Sequence, residues 1–238
     1  MTPEDLNKKI NYIRFLTQQP KGFAYLDKEA AESLKKNDRA ATISLHPSKK
    51  QTQLDALKQS YANCLKCPLA TQGRKQVVFG SGNPEATLMF IGEGPGKDED
   101  LQGLPFIGRA GKLLTSIIEA MGLTRDQVYI SNVVKCRPPE NRIPMPIERS
   151  TCKDILLFKE IDIIQPKIIC TLGATATQSI LGEEAKITQT RGLFFEWRNT
   201  LVLPTYHPAY LLRNPIEKRT VWEDMKKIMA KLTEETSP

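Results

Sequence analysis

The sequence predicts an α/β fold built on a mainly parallel sheet. Four apolar runs rich in β-branched residues carry that prediction: ATLMFIGE (86–93), VYISNVV (128–134), KIICTLG (167–173) and TLVLPTYH (200–207). Helix-length amphipathic segments separate them, and strands spaced by helices imply right-handed crossovers between parallel neighbours. Residues 3–18 read as a helix, with Thr2 and Asp5 as a capping box, Pro3 in the first turn and Leu6, Ile10, Ile13 and Leu16 on one face. Residues 35–53 turn polar and read as linker, so the chain divides into an extension over 1–54 and a domain over 55–238. The domain opens with a helix ending at a cysteine pair. After the first strand, GKLLTSIIEAMG (111–122) is helical, and so is MPIERSTCKDILLFKEIDII (145–164). The turn residues RNT inside GLFFEWRNTLVLPT suggest a hairpin into the last strand.

The composition bounds the function classes. The chain has 238 residues and a net charge of +7, of which +4 falls in residues 1–54, with ten Lys and Arg against six Asp and Glu. A polyanion such as nucleic acid is the favoured partner, and any anion site in the nearly balanced remainder must be made by placement. The start, MTPEDLNKK, lacks a secretory apolar region, and no apolar run reaches membrane-spanning length. A cytoplasmic monomer is therefore expected.

In an open α/β sheet, ligands bind at the carboxyl ends of the strands. Glu93 follows the first strand, Asn132 ends the second, Gly173 and Ala174 follow the third, and His207-Pro208 follows the fourth. Glu93, Asn132 and His207, far apart in sequence, should converge on one pocket. The glycine-rich stretch GEGPGKDED (92–100) is not a phosphate cradle by motif. Its third glycine comes one residue early for a dinucleotide fingerprint, and Gly96-Lys97 lacks the Ser or Thr of a P-loop. An asparagine on an apolar strand is costly to bury unless its amide is paired. His207 is one of two histidines, and it sits at the expected pocket mouth.

Four of five cysteines lie in loop-like contexts: Cys64-Leu-Lys-Cys67, Cys136 and Cys152. Four thiolates suit tetrahedral zinc or an iron–sulfur cluster, and softness alone does not choose between them. A redox pair at Cys64 and Cys67 would leave the other two idle, and Cys170, inside an apolar run, reads as a small buried hydrophobe. The connection CRPPENRIPMPIERSTC holds Arg137, Arg142 and Arg149 beside Lys135 and Lys153, a basic stretch suited to a phosphate backbone.

Taken together, C-x-x-C-P at 64–68, GEGPGKDED, GLPFIGRAGKLL (103–114), YISNVVKCRPPENR (129–142), Cys152 and HPAYLLR (207–213) resemble the family 4, iron–sulfur branch of the uracil-DNA glycosylase superfamily. The resemblance covers about 64–213. It implies a three-layer α/β/α fold with a four-stranded parallel sheet, and a [4Fe–4S] cluster on Cys64, Cys67, Cys136 and Cys152, with zinc as the alternative. It further implies excision of uracil from DNA in base-excision repair. By position, Glu93 and Gly94 would lie along the uracil, Phe106 would stack on it, Asn132 would read its edge, His207 would face O2, and Glu99 would stand near C5. His207, Asn132 and Glu93 are the expected catalytic group. Leu211 would wedge into the DNA stack and Arg213 would meet a phosphate. Other branches carry Asp where this chain has Gly94, so the resemblance assigns no general base. A branch that traps DNA covalently has a His-containing insertion that is missing from 133–152. The contrasting expectation is a non-catalytic metal-containing DNA-binding module on the same fold.

Overall fold

The computed structural model describes residues 48–234. The expected helix over 3–18 and most of the expected linker lie outside the described residues. Helix α1 (Lys49–Tyr61) begins five residues before Leu54, because the Ser48 hydroxyl accepts the Gln51 N–H and caps it. Residues 49–53, expected as linker, are thus its first turns. There follow β1 (Ser81–Gly82), β2 (Leu88–Gly92), α2 (Lys97–Gln102), α3 (Arg109–Ala120) and β3 (Tyr129–Asn132). Next, α4 (Pro146–Cys152) runs through a π-helical turn at Lys153–Leu157 into α5 (Phe158–Ile164). The remaining elements are β4 (Ile168–Leu172), α6 (Ala174–Leu181), α7 (Ile187–Thr190), β5 (Phe195–Trp197), β6 (Thr200–Thr205), α8 (Pro208–Arg213) and α9 (Lys218–Glu234).

The sheet order is β1-β3-β2-β4-β6-β5. The four expected strands β3, β2, β4 and β6 are mutually parallel, as anticipated. The sheet nevertheless has six strands, because β1 and β5 add antiparallel edges. Arg198 and Asn199 both have positive φ (45° and 62°), the backbone of a tight two-residue hairpin turn that joins β5 to β6. β1 is a two-residue pairing with no hydrophobic period to betray it.

Alternate residues of the central strands face opposite layers, and each layer holds an apolar cluster. Leu88, Phe90, Ile130, Cys170 and Leu203 pack with Leu114, Ile117 and Ile118 of α3 and with Trp222, Met225 and Ile228 of α9. Met89, Ile91, Ile169 and Val202 pack on the other side with Leu54 of α1, Ile161 of α5 and Ile180 of α6. Burial on both faces makes each parallel strand a continuous apolar run, which is why these strands were readable from sequence. No helix among the described residues is long and apolar enough to cross a membrane.

Candidate active site

The parallel strands set the site. β2 and β3 are paired so that Gly92 lies opposite Asn132, and β4 and β6 end beside them. A cavity of about 600 Å³ opens there, lined by Glu93, Gly94, Glu99, Phe106, Asn132 and His207, with Thr175 and Arg213 on its walls. Residues spread over more than a hundred positions are brought together by strand order alone.

The glycines of GEGPGKDED are needed for close packing. A Cβ on Gly92 would lie 2.3 Å from the Phe106 ring and 2.6 Å from Asn132 Oδ1, and one on Gly94 would lie 2.7 Å from Val134 Cγ2. The strand end is therefore a thin wall on which an aromatic ring and an amide can close. Glu99 holds this wall in shape: Oε2 accepts the Gly96 N–H (3.1 Å), and Oε1 accepts those of Ile107 (3.0 Å) and Gly108 (2.9 Å). Both of its oxygens are engaged by backbone.

Phe106 is buried with φ of 53°, an uncommon backbone for a bulky residue and costly by about 1–3 kcal/mol. Arg125 imposes it. Its guanidinium donates to the carbonyls of Phe106 (3.0 Å) and Pro105 (2.9 Å) and to Thr115 Oγ1 (3.2 Å). Gly111 permits the approach, since a Cβ there would meet the Phe106 carbonyl at 2.0 Å. The Phe106 and His207 rings stand 5.6 Å apart. Arg125→Ala should relax the loop and lower the rate of whatever chemistry the cavity performs about 10- to 100-fold, with ligand affinity nearly unchanged. Single-turnover rates and a binding isotherm check this; an unaltered rate would show that the clasp is dispensable.

Asn132 is buried, and its Oδ1 has no hydrogen-bond partner. Such an oxygen costs about 1–3 kcal/mol unless a ligand donates to it. His207 caps α8: Nδ1 accepts the Ala209 N–H at 3.1 Å. Burial, assisted by the nearby charge of Arg213, pushes the imidazole pKa down to about 4. At neutral pH the ring is uncharged, and with Nδ1 used as acceptor its proton sits on Nε2. Glu93 Oε2 accepts the Thr175 hydroxyl at 2.5 Å. Thr175, which holds Glu93, and Arg125, which holds the Phe106 backbone, gave no signal in the sequence.

Two expectations are corrected. Leu211 is 0% exposed and packs in the core with Phe106 and Leu172, so it is no wedge; the exposed leucine of α8 is Leu212, at 45%. The helix phase set by the His207 cap turns Leu211 inward. The basic loop is also largely consumed by internal pairs. Arg142 forks onto Glu148 (2.7 and 2.8 Å), Arg149 reaches Glu183 (3.3 Å), and Lys135 is buried against Glu160 (2.5 Å). Arg213 is exposed and lines the cavity.

Cys136 and Cys152 are buried in one apolar cluster, with Cys64 and Cys67 packed against it. Cys136 Sγ accepts from Arg74 (2.8 Å), and Cys152 Sγ accepts the Lys135 N–H (3.3 Å). Burial pushes the Cys136 thiol up to about 11 and Cys152 up to about 12, so thiolates here require a cation among them. Among the described residues, no three His, Cys, Asp or Glu side chains converge at the spacing of a single ion. Four cysteines gathered at one apolar cluster make a soft donor set.

Residues 79–226 match the model of the uracil DNA glycosylase superfamily. The chain is 48% identical to a type-4 uracil-DNA glycosylase of Sulfurisphaera tokodaii, over 74% of this chain and 83% of the relative. It is 45% identical to another from Thermotoga maritima, over 73% and 92%.

The chain belongs to the type-4 branch of the uracil-DNA glycosylase superfamily.

A third type-4 relative, from Saccharolobus solfataricus, is 43% identical over 76% of this chain and 87% of its own length. The family match begins at residue 79 and so takes in the whole cavity wall, from Glu93 to Arg213.

Proposed function

We propose that the protein is a monofunctional uracil-DNA glycosylase, which hydrolyses the N-glycosidic bond of a flipped uracil and leaves an abasic site. The observation that carries this reading is that Asn132, whose Oδ1 has no partner, lines the same cavity as a neutral His207 and the Phe106 ring. Uracil presents an N3–H donor beside the O4 acceptor. Asn132 takes the first on Oδ1 and donates to the second from Nδ2, whereas cytosine reverses the pattern and leaves buried groups unpaired. The Phe106 ring stacks on the base against the glycine wall. Glu99, fixed by its three N–H bonds, stands at C5 and excludes the thymine methyl.

As the bond from C1′ to N1 breaks, its electron pair passes to the base and the sugar becomes oxocarbenium-like. The His207 Nε2–H meets the negative charge growing on O2, an interaction stronger in the transition state than in the ground state. Water then bonds to C1′ and gives up a proton, and the departing uracil anion, protonated in turn, leaves as the neutral base. Both Glu99 oxygens are engaged, so Glu93, oriented by Thr175, is the carboxylate of this wall available to the water and to the cationic sugar. On the DNA side, Arg213 meets a phosphate, and the exposed Leu212 takes the wedge position first expected of Leu211.

The four cysteines are proposed to hold a [4Fe–4S] cluster, whose terminal thiolates stand farther apart than those around a single zinc. When bound it pins the Cys136–Cys152 connection to the Cys64–Cys67 loop, a structural task. Iron per purified chain, lost in Cys152→Ser, tests it. A uracil-containing oligonucleotide treated with alkali after incubation tests the activity. A strand break at the uracil is expected, while DNA binding without a break would leave a non-catalytic binding module.

A further inference from the structure

Behind the cavity lies a fully buried ion pair that the proposed chemistry does not use. Lys135 Nζ donates to Glu160 Oε2 (2.5 Å), to the main-chain carbonyl of Asn132 (2.9 Å) and to Ser131 Oγ. Ser131 in turn donates to Glu160 Oε2 (2.6 Å), and Glu160 Oε1 accepts the Gly80 N–H (2.9 Å). The Lys135 main chain is also fastened: its N–H donates to Cys152 Sγ (3.3 Å), and its carbonyl accepts the Val78 N–H (2.7 Å). One side chain thus ties the end of β3 to α5, and its own backbone ties that knot to the cysteine site.

A buried lysine–glutamate pair is seldom a stability device, because the desolvation of two ions offsets their attraction. Apolar residues would fill the space at no loss. What apolar residues cannot supply is a donor for the Asn132 carbonyl from the side opposite the cavity. Asn132 is the last residue of β3; beyond it the Val133 and Val134 N–H groups still hold the chain to the Gly92 and Glu93 carbonyls, and Lys135 Nζ adds a donor to the carbonyl of Asn132 itself. We infer that Lys135 is a positioning residue: with Glu160 and Ser131 it fixes the backbone of Asn132, and so the aim of the Asn132 amide at the base. This rests on the reading of Asn132 as the group that recognises uracil.

A residue that acts through Asn132 must lose its effect when the amide is gone, which a double-mutant cycle reads directly. Single-turnover rates on a uracil-containing oligonucleotide are measured for the wild type, Lys135→Met, Asn132→Ala and the double variant, all with iron content and thermal midpoint recorded. Lys135→Met should lower the rate about 10- to 100-fold with KM little changed, and should cost less than about twofold in the Asn132→Ala background. Because Lys135→Met leaves Glu160 buried without its cation, Lys135→Met combined with Glu160→Gln serves as a second variant. It carries no unpaired charge, and the glutamine retains partners in Gly80 and Ser131. The same rate loss is expected for it at near-wild-type stability. A rate within twofold of wild type in either folded variant would overturn the proposal, as would a full loss persisting without the Asn132 amide. If Asn132→Ala itself cleaves normally, the reading of Asn132 fails, and the positioning role falls with it. A wild type that releases no uracil would instead defeat the proposed activity.

Discussion

Replacement of His207 by alanine should slow uracil excision by about two to three orders of magnitude, the cost of removing one preorganised donor from a developing oxyanion. The loss belongs in the chemical step, so single-turnover rates fall while the affinity for DNA stays close to wild type. Alanine also strips the cap from α8, where Nδ1 accepts the Ala209 N–H. That part should cost about 1 kcal/mol of stability. Asparagine separates the two effects: His207→Asn keeps a capping oxygen and should recover stability without recovering the rate. The charge state is checked by following the imidazole resonances with pH, since the chain has two histidines. One should titrate near the value of about 4 set by burial and Arg213. The native pKa lies below the unfolded one, so protonation favours unfolding, and stability declines as pH falls from about 6.5 towards 4. Above that range the ring is neutral, and His207 adds no inflection to the rate between pH 7 and 8. A rate that follows a histidine titrating near 6.5 would contradict the neutral donor.

Asn132 should show the opposite of ordinary core behaviour. Its Oδ1 is buried without a partner, so the folded chain bears the cost of an unpaired acceptor. Asn132→Leu, close in volume and wholly apolar, should raise stability by about 1 kcal/mol while lowering excision at least about 100-fold. Thermal unfolding and single-turnover kinetics on the same preparations decide the matter. A destabilised variant with normal turnover would show that the amide is a structural group. The Arg125 clasp and the Lys135 knot predict smaller losses because each acts through a neighbour, Phe106 in one case and Asn132 in the other.

The legible part of the fold was the part set by local period. Four parallel strands buried on both faces leave unbroken apolar runs, and the rule that ligands gather at their carboxyl ends placed Glu93, Asn132 and His207 in one cavity. The spacing of the GEGPGKDED glycines matches no phosphate-binding motif, and their packing role emerged only from the structure, where the Phe106 ring and the Val134 side chain occupy the space of a side chain. What stayed hidden was everything made by distant pairing. Arg125 reads as a surface cation until it is seen under Phe106, and Thr175 as a helix residue until it meets Glu93. The basic loop misled for the same reason: Glu148 and Glu160 sit on helices whose facing partners the sequence does not state, and they absorb Arg142 and Lys135. Leu211 was misplaced by a single position in helix phase, and that is enough to turn a side chain from solvent to core.

The central claim is that this cavity accepts uracil, and neither of the other pyrimidines, and cuts it from its sugar. The direct measurement is release of free base, followed by chromatography, from matched oligonucleotides carrying uracil, thymine or cytosine at one position. Stoichiometric release of uracil is expected, with an alkali-labile site left behind and no release of thymine or cytosine on the same timescale. DNA binding with no base released, or equal release of cytosine, would contradict it.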